Sequence, residues 1–314
     1  MDNKKVLTVF PVNETQRLRL EQAAPEYEFV YKKSQDVTET DLKETSVILG
    51  NVNPELLRNA EKLEWLQLNS AGYDNYVGEG IPGEKVLLTN ATGAYGPAVS
   101  EHMLAMVLAL QKHLHTYAQN MIACSWADAG SVTSIEGART LVLGLGDIGQ
   151  AFCRKMKVLG SHVTGIRRNV SQKPDCVDEI YSLDQLEELL PRMDIVAVIL
   201  PGSQENYHLF GEAQFGKMKP GSIFINAGRG SLVDENALFC ALEQGTVGCA
   251  GLDVTDPEPL PADSPLWGRK DVLITPHVAG GFHLQKTLDL IAEIAIDNMA
   301  RFQQGKELKN LVRR

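Results

Sequence analysis

The sequence predicts an α/β protein of two parallel-sheet units, one inserted into the other, and three observations predict it. Short strand-like apolar runs alternate with amphipathic helical stretches along almost the whole chain, these runs fall into two series, and a long helical stretch stands at each joint. A length of 314 residues agrees with two domains of about 150 residues each.

In the first series Val6–Phe10, Val47–Leu49 and Val86–Thr89 read as strands, with helices near 14–24 and 54–62 between them. The second begins after residue 139 with Thr140–Leu143, His162–Ile166, Asp194–Leu200, Ser222–Asn226, Cys249–Val254 and Val272–Thr275. Such alternation implies parallel sheets with right-handed crossovers and helices on both faces. At the first joint Pro97 suits a helix start, and Val99, Met103, Val107, Leu110 and Leu114 continue one apolar stripe. At the second, Leu284–Phe302 places Leu288, Ile291, Ile294, Ala295 and Met299 on one face. The first domain is therefore expected to be discontinuous, 1–96 plus 284–314, and to enclose a second domain, 97–283.

Lys plus Arg number 30 against 40 Asp plus Glu, a net charge of −10 that argues against general affinity for nucleic acid or anionic membrane. A hydrophobic fraction of 44% with 22% charged residues excludes wholesale disorder. The longest apolar run, Met103–Leu110, is far too short to span a bilayer, and no signal-like apolar stretch follows the N-terminal lysines. The five cysteines (Cys124, Cys153, Cys176, Cys240 and Cys249) lack any Cys-x-x-Cys and read as free thiols in a reducing cytoplasm. No cluster has metal-ligand spacing, so no metal is expected.

Gly144-Leu-Gly146-Asp147-Ile148-Gly149 is a G-x-G-x-x-G loop between an apolar strand and a stretch with Ile148, Phe152, Met156 and Leu159 at helical spacing. In that context Gly144 permits a tight turn, Gly146 the approach of a pyrophosphate, and Gly149 close packing of helix on strand. The plain alternative is a purely structural turn. A carboxylate ending the next strand would accept from the 2′-hydroxyl of NAD, but that position reads Arg167-Arg168, and no acid occurs between Asp147 and Asp175. Guanidiniums there suit a 2′-phosphate, so NADP(H) is expected over NAD(H), unless the pair is simply solvated.

Three later strands each end in a chemically capable residue: Arg229 in Asn226-Ala-Gly-Arg, Glu258 in Asp253-Val-Thr-Asp-Pro-Glu-Pro, and His277 in Thr275-Pro-His. Ligands of open α/β sheets bind at carboxyl strand ends, so the three are candidates for one crevice. Singly, Arg229 also fits a surface ion pair, Glu258 a solvated loop acid, and His277 a capping or core histidine.

Together with Leu200-Pro201, Met218–Gly221 and Gly251–Pro259, these segments resemble the NAD(P)-dependent D-2-hydroxyacid dehydrogenase family, in family order and spacing over residues 45–303. The resemblance implies a Rossmann dinucleotide-binding domain inserted into a flavodoxin-like substrate domain, a cleft between them and a homodimer. Arg229 would then hold the substrate carboxylate and polarise its 2-keto oxygen. His277 would donate the proton during reduction, and Glu258 would favour and orient the imidazolium. Asp253 would meet the nicotinamide carboxamide, or else bond local backbone. In Asn69-Ser-Ala71-Gly72 the N–H groups of Ala71 and Gly72 would hold the carboxylate, although the segment alone is an ordinary turn. The implied cofactor set further includes Asp147, Ile148, Pro201, Asn206, Ala227 and Gly280. The family's Leu-Pro-x-Thr-x-x-Thr reads Leu200-Pro-Gly-Ser-Gln-Glu-Asn206 here, losing both threonines. His102, His113, His115, His162 and His208 are expected to be structural, while His283 is near enough to His277 in sequence to line the cleft.

The expected reaction is reduction of a 2-ketoacid of the glyoxylate/hydroxypyruvate type. The other readings of the scaffold are a dinucleotide-sensing corepressor-like protein, or a dehydrogenase for formate or phosphite. The cleft walls are expected to include Val52, Tyr73, Tyr95, Trp267 and Phe282.

Overall fold

Asn13 opens the first helix by accepting from the Gln16 N–H while the Gln16 side chain accepts from the Asn13 N–H, a reciprocal cap. In the computed structural model, which describes residues 4–78 and 81–313, the chain first runs β1 (Lys5–Thr8), α1 (Glu14–Ala23), β2 (Glu28–Tyr31), α2 (Glu39–Lys43), β3 (Thr45–Leu49), β4 (Trp65–Gln67) and β5 (Leu87–Thr89). Next come α3 (Gly96–Gln111), α4 (Leu114–Ile122), β6 (Arg139–Leu143), α5 (Asp147–Val158), β7 (His162–Ile166), β8 (Glu179–Tyr181), α6 (Leu186–Leu189) and β9 (Ile195–Val198). Then follow α7 (Glu212–Gly216), β10 (Ser222–Asn226), α8 (Glu235–Glu243), β11 (Val247–Leu252), β12 (Val272–Ile274) and α9 (Gln285–Gln303). The chain divides into two units: Met1–Tyr95 with Phe282–Arg314, and Gly96–Gly281.

The first unit holds a five-stranded parallel sheet in the order β2-β1-β3-β4-β5. That 2-1-3-4-5 order is the flavodoxin-like one. The C-terminal segment belongs to this unit for physical reasons. The buried Asn298 of α9 donates to Gln67 Oε1 at 2.8 Å, and the same oxygen accepts from the Thr89 hydroxyl, which accepts from Trp65 Nε1. Arg19 of α1 also forms an exposed ion pair with Glu293 of α9. The core beneath the sheet gathers Leu7, Ile48, Leu66, Leu68 and Leu88.

The second unit holds a seven-stranded parallel sheet, β12-β11-β10-β9-β6-β7-β8. Counted within the unit from β8, the order is 3-2-1-4-5-6 with one more strand, the doubly wound Rossmann arrangement. Its core includes Leu141, Val196, Phe210, Phe215 and Phe224, the three phenylalanine rings packing with centroids 5.0–5.6 Å apart.

Several elements differ from the sequence expectation. β2, β4 and β8, each of three or four residues, are strands the sequence analysis does not predict. The stretch 54–59 is a 3-10 helix. The stripe drawn through Leu114 breaks, because His113 takes a left-handed φ of 54° that ends α3 and leaves Leu114 exposed on α4. Val52 and Tyr95, named as wall residues, are buried. All five cysteines are free, and no described helix is long and apolar enough to cross a membrane.

Candidate active site

The loop after β6 shows which glycines the protein itself requires. A Cβ on Gly149 would sit 1.8 Å from the Gly144 carbonyl oxygen, and one on Gly144 would sit 2.5 Å from that of Ile199. Those two glycines let α5 and β9 close against the loop. Gly146 is different: a Cβ there would meet nothing within 4 Å. Packing leaves space over the loop at the start of a twelve-residue helix, where first-turn N–H groups lack intrahelical acceptors. Asp147 Oδ2 accepts from the Gly96 N–H at 2.8 Å, so this carboxylate pins the start of α3. Ile148 is half-buried beside it.

Beyond β7, Arg167 is half-buried and donates its N–H to the Tyr181 carbonyl. Arg168 is 87% exposed and lies 3.6 Å from the equally exposed Glu205, a pair of little energetic weight. After β9, Pro201 is exposed while Asn206 is buried and donates to the Pro201 carbonyl at 3.3 Å, so its amide closes its own loop. Ala227 donates its N–H to Val198, and Gly280 is half-buried after the His277 turn.

The Arg229 turn is built by Asn226, whose buried side chain donates to the Arg229 carbonyl at 2.9 Å and accepts from the Gly228 N–H at 3.1 Å. The guanidinium donates to the Gly228 carbonyl at 2.8 Å. Glu258 uses both carboxylate oxygens: Oε1 accepts from the Thr255 N–H at 3.3 Å, and Oε2 lies 2.9 Å from His277 Nδ1. An ionised carboxylate only accepts, so Nδ1 is the donor and Nε2 is the nitrogen left for other chemistry. His277 and Glu258 are 49% and 40% exposed, which keeps that nitrogen reachable.

Asp253, 3% exposed, forms the floor of the His277 turn. It accepts from the Thr275 hydroxyl at 2.6 Å, the Val278 N–H at 3.0 Å and the Ala279 N–H at 3.1 Å, while its carbonyl accepts from the His277 N–H at 2.8 Å. Asn226 and Thr275 thus join the site although nothing in the sequence assigns them a role. The only available signal was their place at strand ends and turns.

In the first unit, the loop carrying Ala71 and Gly72 has its carbonyls occupied. The Ala71 carbonyl accepts from Asn90 Nδ2 at 2.8 Å, and that of Gly72 from the Ser70 hydroxyl at 2.6 Å. Among the described residues no protein acceptor takes the Ala71 or Gly72 N–H. The loop therefore presents donors, the polarity an anion needs.

Residues 104–279 match the family model described as D-isomer specific 2-hydroxyacid dehydrogenase, NAD binding domain. The chain belongs to the D-isomer-specific 2-hydroxyacid dehydrogenase family. It is 36% identical over 272 residues to glyoxylate/hydroxypyruvate reductase B of Escherichia coli O6:K15:H31 (strain 536 / UPEC), covering 83% of this chain and 82% of that one. It resembles the crystal structure of a D-isomer specific 2-hydroxyacid dehydrogenase family protein from Aeromonas salmonicida subsp. salmonicida A449, with TM-score 0.86, 31% identity and 99% of each chain covered. It also resembles the D-isomer specific 2-hydroxyacid dehydrogenase from Xanthobacter autotrophicus Py2 in complex with NADPH and MES, with TM-score 0.82, 27% identity, and 100% and 98% of the two chains covered. This dehydrogenase is an NAD(P)-dependent oxidoreductase interconverting 2-ketoacids and D-2-hydroxyacids. Among the described residues it has no group of three or more His, Cys, Asp or Glu side chains arranged to hold a metal ion.

Proposed function

We propose that this dehydrogenase works as an NADPH-dependent reductase of small 2-ketoacids of the glyoxylate/hydroxypyruvate type. The observation that carries the chemistry is the 2.9 Å contact of His277 Nδ1 with Glu258, at the carboxyl ends of strands in a sheet whose glycine loop is open at Gly146. Bound reduced nicotinamide supplies a hydride to substrate C2. The rest falls to this chain. Arg229 holds the carboxylate and polarises the 2-keto oxygen, His277 Nε2 delivers the proton to that oxygen, and Glu258 compensates the imidazolium charge and fixes the ring. The cofactor is assigned to Gly144, Gly146, Asp147, Ile148, Gly149, Pro201, Asn206, Ala227, Asp253 and Gly280. Asp147 and Asn206 serve chiefly through their loops, given where their side chains point.

Arg167 and Arg168 are assigned to a 2′-phosphate, which favours NADP(H) over NAD(H); the absence of an acid after β7 supports this. The unit made of Met1–Tyr95 and Phe282–Arg314 is read as the substrate domain, its Ala71 and Gly72 N–H groups receiving the carboxylate. A homodimer is part of the reading, supported by Met121, Ile122 and Trp126, which stand 75%, 81% and 104% exposed in and beyond α4. The free cysteines suit a cytoplasmic location.

The test is loss of absorbance at the reduced-nicotinamide band, with NADPH and NADH in parallel, against glyoxylate, hydroxypyruvate, pyruvate, phenylpyruvate and a branched 2-ketoacid. Turnover of the small acids with NADPH favoured is expected. Turnover with NADH favoured overturns the arginine assignment, and no turnover despite nucleotide binding overturns the reductase reading.

A further inference from the structure

We propose that His102 is a positioning residue for proton transfer, acting on the His277 turn through Thr275 and Asp253; this rests on reading His277 as the proton donor. His102 lies on α3, 173 residues from Thr275 in sequence, yet its Nε2 is 3.0 Å from the Thr275 hydroxyl oxygen. It is also 3.7 Å from Asp253 Oδ1.

The direction of each bond follows from proton counting. Asp253 is buried and accepts two backbone N–H groups, so it is an acceptor towards Thr275, and the 2.6 Å oxygen–oxygen contact holds the single hydroxyl proton. Thr275 must then accept from His102, which places a proton on Nε2. The chain of bonds runs from His102 Nε2–H to Thr275 to Asp253.

What this chain holds is strained. His277 has φ of 49°, a left-handed conformation costly for a side chain with a Cβ. Such a residue keeps its shape only when its surroundings over-determine it. Asp253 does so with the Val278 and Ala279 N–H groups and its own carbonyl on the His277 N–H. His102 reaches that carboxylate from the α3 side through the Thr275 hydroxyl. Losing His102 leaves the Thr275 hydroxyl without its donor and loosens its hold on Asp253, which misaligns the His277 ring rather than removing a substrate contact.

The test measures kcat and KM for glyoxylate with NADPH in H102L, H102Q, T275V and the double variant H102L/T275V, with H277N as reference. H102L and T275V are each expected to lower kcat about tenfold with the glyoxylate KM changed by less than about twofold. The double variant should be no slower than the slower single, since both break one chain of bonds. H102Q, which keeps an N–H donor, should recover most of the loss, and nitrogen-15 NMR of the wild-type imidazole should place the proton on Nε2. If H102L does not fold, T275V and the NMR assignment carry the test. Near-wild-type kcat in H102L while H277N is inactive, additive losses, a loss confined to KM, or a proton on Nδ1 alone each overturn the proposal and leave the function standing. Near-wild-type turnover in H277N overturns both.

Discussion

A Cβ placed on Gly230 would lie 1.9 Å from the carbonyl oxygen of Thr255. The turn that follows Arg229 is therefore seated directly against the strand end from which the Glu258 loop departs. That contact sets the spacing of the arginine and the glutamate. Gly230→Ala must push the two loops apart, a strain of about 1–3 kcal/mol. Turnover is expected to fall at least about tenfold while nucleotide affinity, measured by fluorescence titration, stays near that of the parent.

His277→Asn removes the proton donor and is expected to lower kcat by about 10²–10⁴-fold. Glu258→Gln keeps an acceptor for Nδ1 but loses the charge, and a charge-assisted bond of about 1.5–3 kcal/mol corresponds to a loss of about 10–100-fold. Steady-state kinetics on both variants check this order; equal losses would show that the charge, not only the geometry, is indispensable.

Gly146→Ala tests the open loop without relying on turnover. The protein offers no atom within 4 Å of the new methyl group, so thermal stability should be unchanged. NADPH affinity should drop at least about tenfold, equivalent to about 1.4 kcal/mol, as the methyl group occupies the pyrophosphate approach. Equal affinity in calorimetry would place the phosphates elsewhere.

Arg167→Asp offers a carboxylate to the ribose 2′-hydroxyl and repels a 2′-phosphate. The ratio of kcat/KM for NADPH to that for NADH is expected to fall by about 10–100-fold. An unchanged ratio would assign 2′-phosphate selection to another residue.

Trp126→Glu places a charge at an exposed apolar residue that follows exposed Met121 and Ile122 in the chain. If these residues pair two copies, sedimentation should show the parent as a dimer and the variant as a monomer, with the fold intact by circular dichroism. A parent that sediments as a monomer removes the dimer from the reading.

Most residues proposed for the site were legible in the chain because their signals are local. A glycine loop between an apolar strand and an amphipathic stretch occupies six consecutive residues, and each of Arg229, Glu258 and His277 follows a strand. The sequence leaves Asp253 two candidate roles, towards a cofactor or towards local backbone. The structure puts it on the backbone of Val278 and Ala279, 25 and 26 residues later, which no window around Asp253 reveals. A single histidine on an apolar helix carries no pattern, so the sequence alone gives His102 a structural role. Its partner is visible only once α3 packs against the sheet.

By itself the sequence determined the α/β class, the two series of strands, the glycine loop and the strand-end places of Arg229, Glu258 and His277, since periodicity and turn chemistry are written in neighbouring residues. The tertiary structure decided which atoms are free to act. It set the Asp147 carboxylate on the start of α3 and Asp253 Oδ1 on the His277 turn, and it left Gly146 uncovered. A buried polar group must find partners wherever packing brings them, so a side chain's availability depends on contacts far along the chain.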